Sequence, residues 1–426
     1  MRHRALVLLV VASAPALHAQ TIAITGGKVY PVSGPVIENG TVLMRDGRIV
    51  AVGSGIAIPA DAQRVDATGK VVTPGLVNGS THLGLTEIGA VHGTVETSAR
   101  GRDGIAAAFR PWDGLNSASA LLSPARQGGI TTVMIAPDGG LISGQAAMLH
   151  LVPGSSADMI LRAPVAMVAS IGPTSGPNAL TRAEVLMRLR EVLEDARVYR
   201  TRRGDFERAQ VRSLSAGRLD LEALLPVLDG RVPMLVDADK ASDIQSALAL
   251  SKEFGFRLMI LGGAEAWQVA GRLAAARVPV LTGAMDNLAS SFSTLGQRQD
   301  NAALLSKAGV TVALIGNGGG MEDAFNVRNV RFEAGNAVGF GMDWSAALRA
   351  ITLTPAELFG VADRVGSLTP GKVADVVIWS GDPFEFRTQP ERVYIAGRLV
   401  TEQSRQDMLE QRYKSLPPDY RRSVGP

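Results

Sequence analysis

The strongest constraint on the fold is a repeat of buried strand and helix through the middle of the chain. Apolar, β-branched runs occur at Ile130 to Ile135, Val165 to Val168, Val232 to Val236, Leu258 to Leu261, Val278 to Leu281 and Val310 to Ile315. Continuous rather than alternating apolar character marks strands covered on both faces, as in parallel sheets. Helical patterns separate several of them. Thr181-Arg-Ala-Glu184 is a capping box, followed by Val185, Leu189, Val192 and Ala196 on one helical face; Ser242 to Phe254 and Ala264 to Ala276 come next. The last four runs begin roughly 20 to 30 residues apart, the spacing of β/α units. About 290 residues of such units suit an α/β fold of the (β/α)8 TIM-barrel type, whose active site forms where strand C-terminal ends meet loops. An open doubly wound sheet is the alternative.

The two ends have a different texture. Thr41 to Arg45, Asp46-Gly47 and Arg48 to Val52 form a hairpin pattern, because Asp-Gly supplies the positive φ that a tight turn demands. Ala374 to Trp379 and Val393 to Val400, turning at Gly397, repeat that texture near the other end. Neither end alone can bury a sheet face. Since domain termini lie close together, the expected arrangement is a composite β domain from residues 20–71 and 361–402, with the barrel, 72–360, inserted between them. Residues 403–426 form a polar tail. The stretch from Thr401 is expected to be a solvated helix, and Pro124 to Gly129 a connection.

Charge is nearly balanced. The 43 Lys and Arg against 40 Asp and Glu include Arg2 and Arg4, which fall in an N-terminal segment of signal-peptide form. Without them the balance is 41 to 40, which excludes a basic footprint for nucleic acid or a polybasic membrane patch. In that segment, residues 1–19, a charged start precedes the apolar stretch Ala5 to Ala16, and Leu17-His18-Ala19 forms a cleavage site. The stretch is too short for the ~20 residues of a membrane span. Export to the periplasm or medium, with cleavage near Ala19, is the expectation. The absence of cysteine fits either redox compartment.

Val72-Thr-Pro-Gly-Leu-Val-Asn-Gly-Ser-Thr-His82 resembles the first-strand signature of the amidohydrolase superfamily. Ala347 to Gly360 and Gly366-Ser-Leu-Thr-Pro-Gly-Lys-Val-Ala-Asp375-Val-Val-Ile-Trp379 are similar to its closing segment. Within the superfamily the exported imidazolonepropionase-like group is the nearest in look. The resemblance implies a hydrolase of C–N bonds in cyclic or peptide-like amides of small molecules, with hydroxide held by one or two divalent metals at the barrel mouth. It further implies ligands from two first-strand histidines, histidines after the fifth and sixth strands, and an aspartate after the eighth.

Five histidines are present, and His3 and His18 lie in the signal segment, leaving His82, His92 and His150. The first histidine position of the motif holds Ser80, and the usual aspartate before it is Asn78. Asp237 stands at the fifth-strand position, glycine at or beside the sixth, and Asn317 at the eighth. Asp323 lies six residues beyond Asn317, too far along a glycine loop to be assigned the eighth-strand role. His82, Asp237 and Asp239 are the candidate metal ligands; the two aspartates share a strand face and would favour Mn or Mg, with Zn the usual family ion. Each also has a structural alternative: His82 an imidazole bonded to its neighbours, Asp237 and Asp239 a solvated or capping pair. Glu265 has a role beside a helix dipole, and His92 and His150 read as ordinary histidines. The glycine run after Ile315 lacks the lysine and spacing of a phosphate loop. Ser143-Gly-Gln145 is placed in a loop, without a base to activate the serine.

Two readings stay open. One is a hydrolase with one divalent metal; the other has no metal and is a non-catalytic binding relative, acting alone, as a homo-oligomer or paired with an active homologue.

Overall fold

The computed structural model describes residues 21–172, 180–285, 288–289, 291–316 and 323–414. The expected signal segment 1–19, residues 317–320 of the glycine run and the tail beyond 414 lie outside the described residues.

Five strands open the described chain: β1 (Thr21–Val29), β2 (Ile37–Arg45), β3 (Arg48–Gly53), β4 (Gln63–Asp66) and β5 (Val71–Pro74). The barrel strands are β6 (Leu76–Thr81), β7 (Ile130–Ile135), β8 (Ile142–His150), β9 (Ile160–Ser170), β10 (Met234–Ala238), β11 (Leu258–Gly262), β12 (Val280–Thr282) and β13 (Val312–Leu314). β14 (Val376–Trp379), β15 (Pro390–Ile395) and β16 (Arg398–Leu399) follow.

The first sheet joins both ends of the chain in the order β16-β15-β14-β5-β1-β2-β3, with β4 beside β1. Its junction is the antiparallel pairing of β14 with β5, which sets Val376 opposite Pro74 and Trp379 opposite Val71. The buried Trp379 indole donates to the Thr73 hydroxyl at 2.8 Å, so the bulkiest side chain of the junction is also satisfied. At the Asp46-Gly47 turn both residues have positive φ, 52° and 74°, as the hairpin requires.

The second sheet is a nearly closed barrel in the order β6 to β13. Helices alternate with several strands, among them Arg182–Thr201, Ala241–Phe254 and Ala270–Ala276. The Thr181 hydroxyl caps the first of these, accepting the Glu184 N–H at 3.3 Å. Met134, Val168, Leu235, Met259, Leu281 and Ala313 fill the interior with Phe359 and Val361 of the closing segment. Each such large side chain stabilises the fold by about 1.5–3 kcal/mol on burial.

Two expectations need correction. Ser143-Gly-Gln145 is not loop but part of β8, which runs antiparallel to β7 and β9. No helix separates β7 from β8, and only the single turn Ser156–Met159 lies between β8 and β9, so the β/α rhythm used to find the others is silent there. Pro124 to Gly129, expected as a connection, instead lies largely in the short helix Leu122–Gln127. The tail helix Arg405–Tyr413 buries no residue, in keeping with a solvated helix.

Gly75, between β5 and β6, has a structural cause. A Cβ there would stand 2.2 Å from the Thr131 side chain on β7, so no other residue lets the chain pass from one sheet into the other. Barrel closure is incomplete on β6. It shares no ladder with β13 among the described residues; instead the Val77 N–H donates to the Ile351 carbonyl at 2.8 Å.

Candidate functional site

The end of β6 and the segment after β13 meet at this seam. Asn78, 1% exposed, donates its amide to the Val327 carbonyl at 3.2 Å and accepts the Gly316 N–H at 3.4 Å. A carboxylate could not donate to that carbonyl, so the amide is what joins the first strand to both sides of the loop after β13. Asn78 also accepts the Ser80 N–H at 3.2 Å, bending the strand end towards the mouth.

Here the structure overturns the reading of Asp323. It lies against His82: one carboxylate oxygen accepts the His82 backbone N–H at 2.8 Å, and the other stands 3.4 Å from ring Nδ1. The Thr81 hydroxyl donates to it as well. Counting along the loop failed because six residues can span about 20 Å when extended, or double back. The available signal was chemical: Asp323 is the first aspartate after the eighth strand. Burial pushes the Asp323 carboxyl up; the facing His82 ring, Thr81 and the His82 N–H oppose the rise, and Asp138 adds to it.

His82 is 12% exposed, and its Nε2 faces Asp138 at 3.7 Å. That separation is beyond hydrogen-bonding reach. Asp138, half exposed after β7, instead accepts the Thr97 hydroxyl at 2.9 Å.

The predicted aspartates stand together at the end of β10. Desolvation by the surrounding protein, and second the charge of Asp239, push the Asp237 carboxyl up to about 7, although the residue itself is exposed at the strand end and solvent screens part of the effect. Asp239 is also raised, chiefly by burial, although it accepts the Ala264 N–H at 3.2 Å. Gly262 ends β11 beside them with φ 82°; a Cβ there would come within 2.6 Å of Asp239 Oδ1. Its left-handed backbone disfavours a side chain at the sixth-strand position, where a Cβ would also have to displace the Asp239 carboxylate. Glu265 accepts the Ala241 N–H at 3.0 Å and so serves the helix Ala241–Phe254, not the helix that follows it in sequence.

The remaining histidines are placed away from this group. His92 is exposed in a short turn. His150 pairs with Thr132 of β7, towards the barrel's other end, and its ring meets the buried Asp375 at 3.0 Å, tying the barrel to the composite sheet.

A histidine and carboxylates gathered at the C-terminal strand ends of a barrel occupy the place where enzymes of this fold carry their active sites. Residues 255–400 match the model of the amidohydrolase family. The chain is 28% identical over 378 residues to an imidazolonepropionase of Acidiphilium cryptum, covering 82% of this chain and 89% of that one. It is 26% identical to the amidohydrolase tasK of Hapsidospora irregularis over 394 residues, 85% of this chain but only 39% of tasK's length. The structure of an amidohydrolase from Thermotoga maritima superposes with a TM-score of 0.80 at 28% identity, covering 90% of this chain and all of that one. The chain is a member of the amidohydrolase superfamily.

That family is typically metal-dependent, and a solved Xanthomonas campestris adenosine deaminase of the same fold carries zinc, at 19% identity and a TM-score of 0.53. A catalytic zinc takes about three protein ligands and an open position. Among the described residues no three His, Asp or Glu side chains converge as such a group, and His82 presents its two nitrogens to two different carboxylates. Asp237 and Asp239 do not join His82 in a shared set. The donors described do not fit that metal, and no step is derived through it.

Proposed function

We propose that the protein hydrolyses a C–N bond of a small cyclic or peptide-like amide at the barrel mouth, by acid–base chemistry of its own side chains. One observation supports this above the rest: the eighth-strand aspartate is set on the first-strand histidine. Asp323 orients the ring through Nδ1, which leaves Nε2 to take a proton from the attacking water. The water oxygen bonds to the amide carbon as that proton leaves. Asp237, with its carboxyl near neutrality, is suited to protonate the departing nitrogen as the C–N bond breaks. The neighbouring Asp239 keeps that proton on Asp237.

A second reading, a binding relative without turnover, draws on Gly262, whose left-handed backbone disfavours a ligand side chain at that strand end. One experiment separates the two. Protein purified without a histidine tag is assayed on hydantoins, dihydropyrimidines and N-acyl amino acids, with and without Zn²⁺, Mn²⁺ or Mg²⁺. Turnover lost in both His82→Ala and Asp323→Asn, at well under one equivalent of metal, is the result expected. Turnover that needs stoichiometric metal overturns the metal-free scheme, and no turnover on any of these amides favours the binding reading. Export is part of the proposal; N-terminal sequencing of protein from the periplasm should begin at Gln20.

A further inference from the structure

The barrel end opposite His82 carries a cavity of about 840 Å³. It opens where β11, β12 and β13 begin, beside the last turns of the helices Ala241–Phe254 and Ala270–Ala276. Four cations line it, Lys252, Arg257, Arg272 and Arg277, and no acidic side chain does. All four are exposed at the rim. The floor is apolar, with Met259 and Val278 buried beneath them.

Helix ends account for part of this charge. Lys252 lies in the last turn of one helix and Arg277 at the C-terminal cap of the other, where cations complement the helix dipole. Each helix end offers only about half a negative charge, so two of them offset about one of the four positive charges. Arg272 donates to the neutral Gln245 amide at 2.7 Å. The nearby acids are matched elsewhere, Glu253 with Arg190 at 2.9 Å and Glu357 with Arg349 at 2.6 Å. Excess cationic charge beside an apolar floor makes a positive field that concentrates anions, above all those with an apolar part to lay on that floor.

We infer that this cavity binds an organic anion: a carboxylate or phosphate on an apolar body. The guanidinium forks of Arg257, Arg272 and Arg277 hold the oxyanion, since their planar donors match its oxygens. The apolar body lies over Met259 and Val278. The volume suits a small-molecule ligand, for which sites run to about 300–1,000 Å³. The site is independent of the mouth chemistry, which sits at the other ends of the same strands.

The test titrates the full chain with octyl phosphate and with octanoate by calorimetry. Octanol serves as the probe lacking charge and inorganic phosphate as the probe lacking the body. Saturable one-to-one binding of either octyl anion is expected, weakened at least tenfold by the Arg257→Gln/Arg277→Gln double variant. Whichever octyl anion binds more tightly identifies the headgroup. Both arginines are exposed, so the variant should fold, and circular dichroism checks that it does. The inference is overturned if neither octyl anion saturates, if the folded double variant binds as tightly, or if octanol or inorganic phosphate binds as well as the octyl anions.

Discussion

Asp323 accepts the backbone N–H of His82 at 2.8 Å while standing 3.4 Å from its ring, so one carboxylate both anchors the backbone of the histidine and faces its imidazole. The contact crosses the seam where, among the described residues, β6 and β13 share no ladder. Barrel closure and the candidate site therefore rest on the same few side chains.

Replacing Asp323 by Asn keeps an oxygen for the His82 N–H and the Thr81 hydroxyl but removes the charge facing the ring. Activity should fall by about 10²–10⁴, the usual contribution of general acid–base groups. Stability should not fall, because burial opposes the charge of Asp323. Parallel kcat and thermal-melt measurements check both halves; a variant that loses activity only by unfolding would contradict the assignment.

Asn78 gives a prediction of the opposite kind. Asn78→Asp restores the residue usual in the family motif, yet places a carboxylate against the Val327 carbonyl in a buried position. Destabilisation of about 1–3 kcal/mol is expected, by the loss of a donor and the desolvation of a charge. Denaturant unfolding measures it. Asn78→Ala should cost a similar amount, since it strands both the Val327 carbonyl and the Gly316 N–H.

Much of this was legible in the sequence, and unevenly so. The barrel strands announced themselves through unbroken apolar runs, and the closing motif through Asp375 and Trp379. β8 escaped because no more than the single helical turn Ser156–Met159 joins it to its neighbours and because it carries Gly144 in its middle. Asp323 escaped because distance along a loop says little about distance in space. Asp237 and Asp239 were visible as a pair, but their separation from His82 depends on strand placement that no local pattern encodes.

Gly75 tests the junction between the two sheets. Gly75→Ala would drive a Cβ to 2.2 Å from the Thr131 side chain, with the Thr131 Cβ itself at 2.7 Å. Overpacking of a buried strand costs about 1–3 kcal/mol, occasionally more. Adding Thr131→Gly should recover much of that loss, because it removes every atom of the clash, and a double-mutant cycle on melting free energies would show the coupling.

Asp237 carries the pH dependence. Its carboxyl rises from the ordinary 3.8 to about 7, by burial first and by Asp239 second. Within that window the folded protein holds a proton that the unfolded chain has released, so stability falls as pH rises through it. Solvent at the mouth screens the effect, leaving about 1 kcal/mol of it. Asp237→Asn removes the titration, so its melting temperature should match the parent at about pH 4 and exceed it by a few degrees at about pH 8. In the proposed hydrolysis the same proton is the one given to the leaving nitrogen. The parent's rate should decline above about pH 7, and Asp237→Asn should lose about 10²-fold or more together with that alkaline limb. A melting difference that does not grow with pH would mean the carboxyl ionises normally and leaves the proton donor to another group.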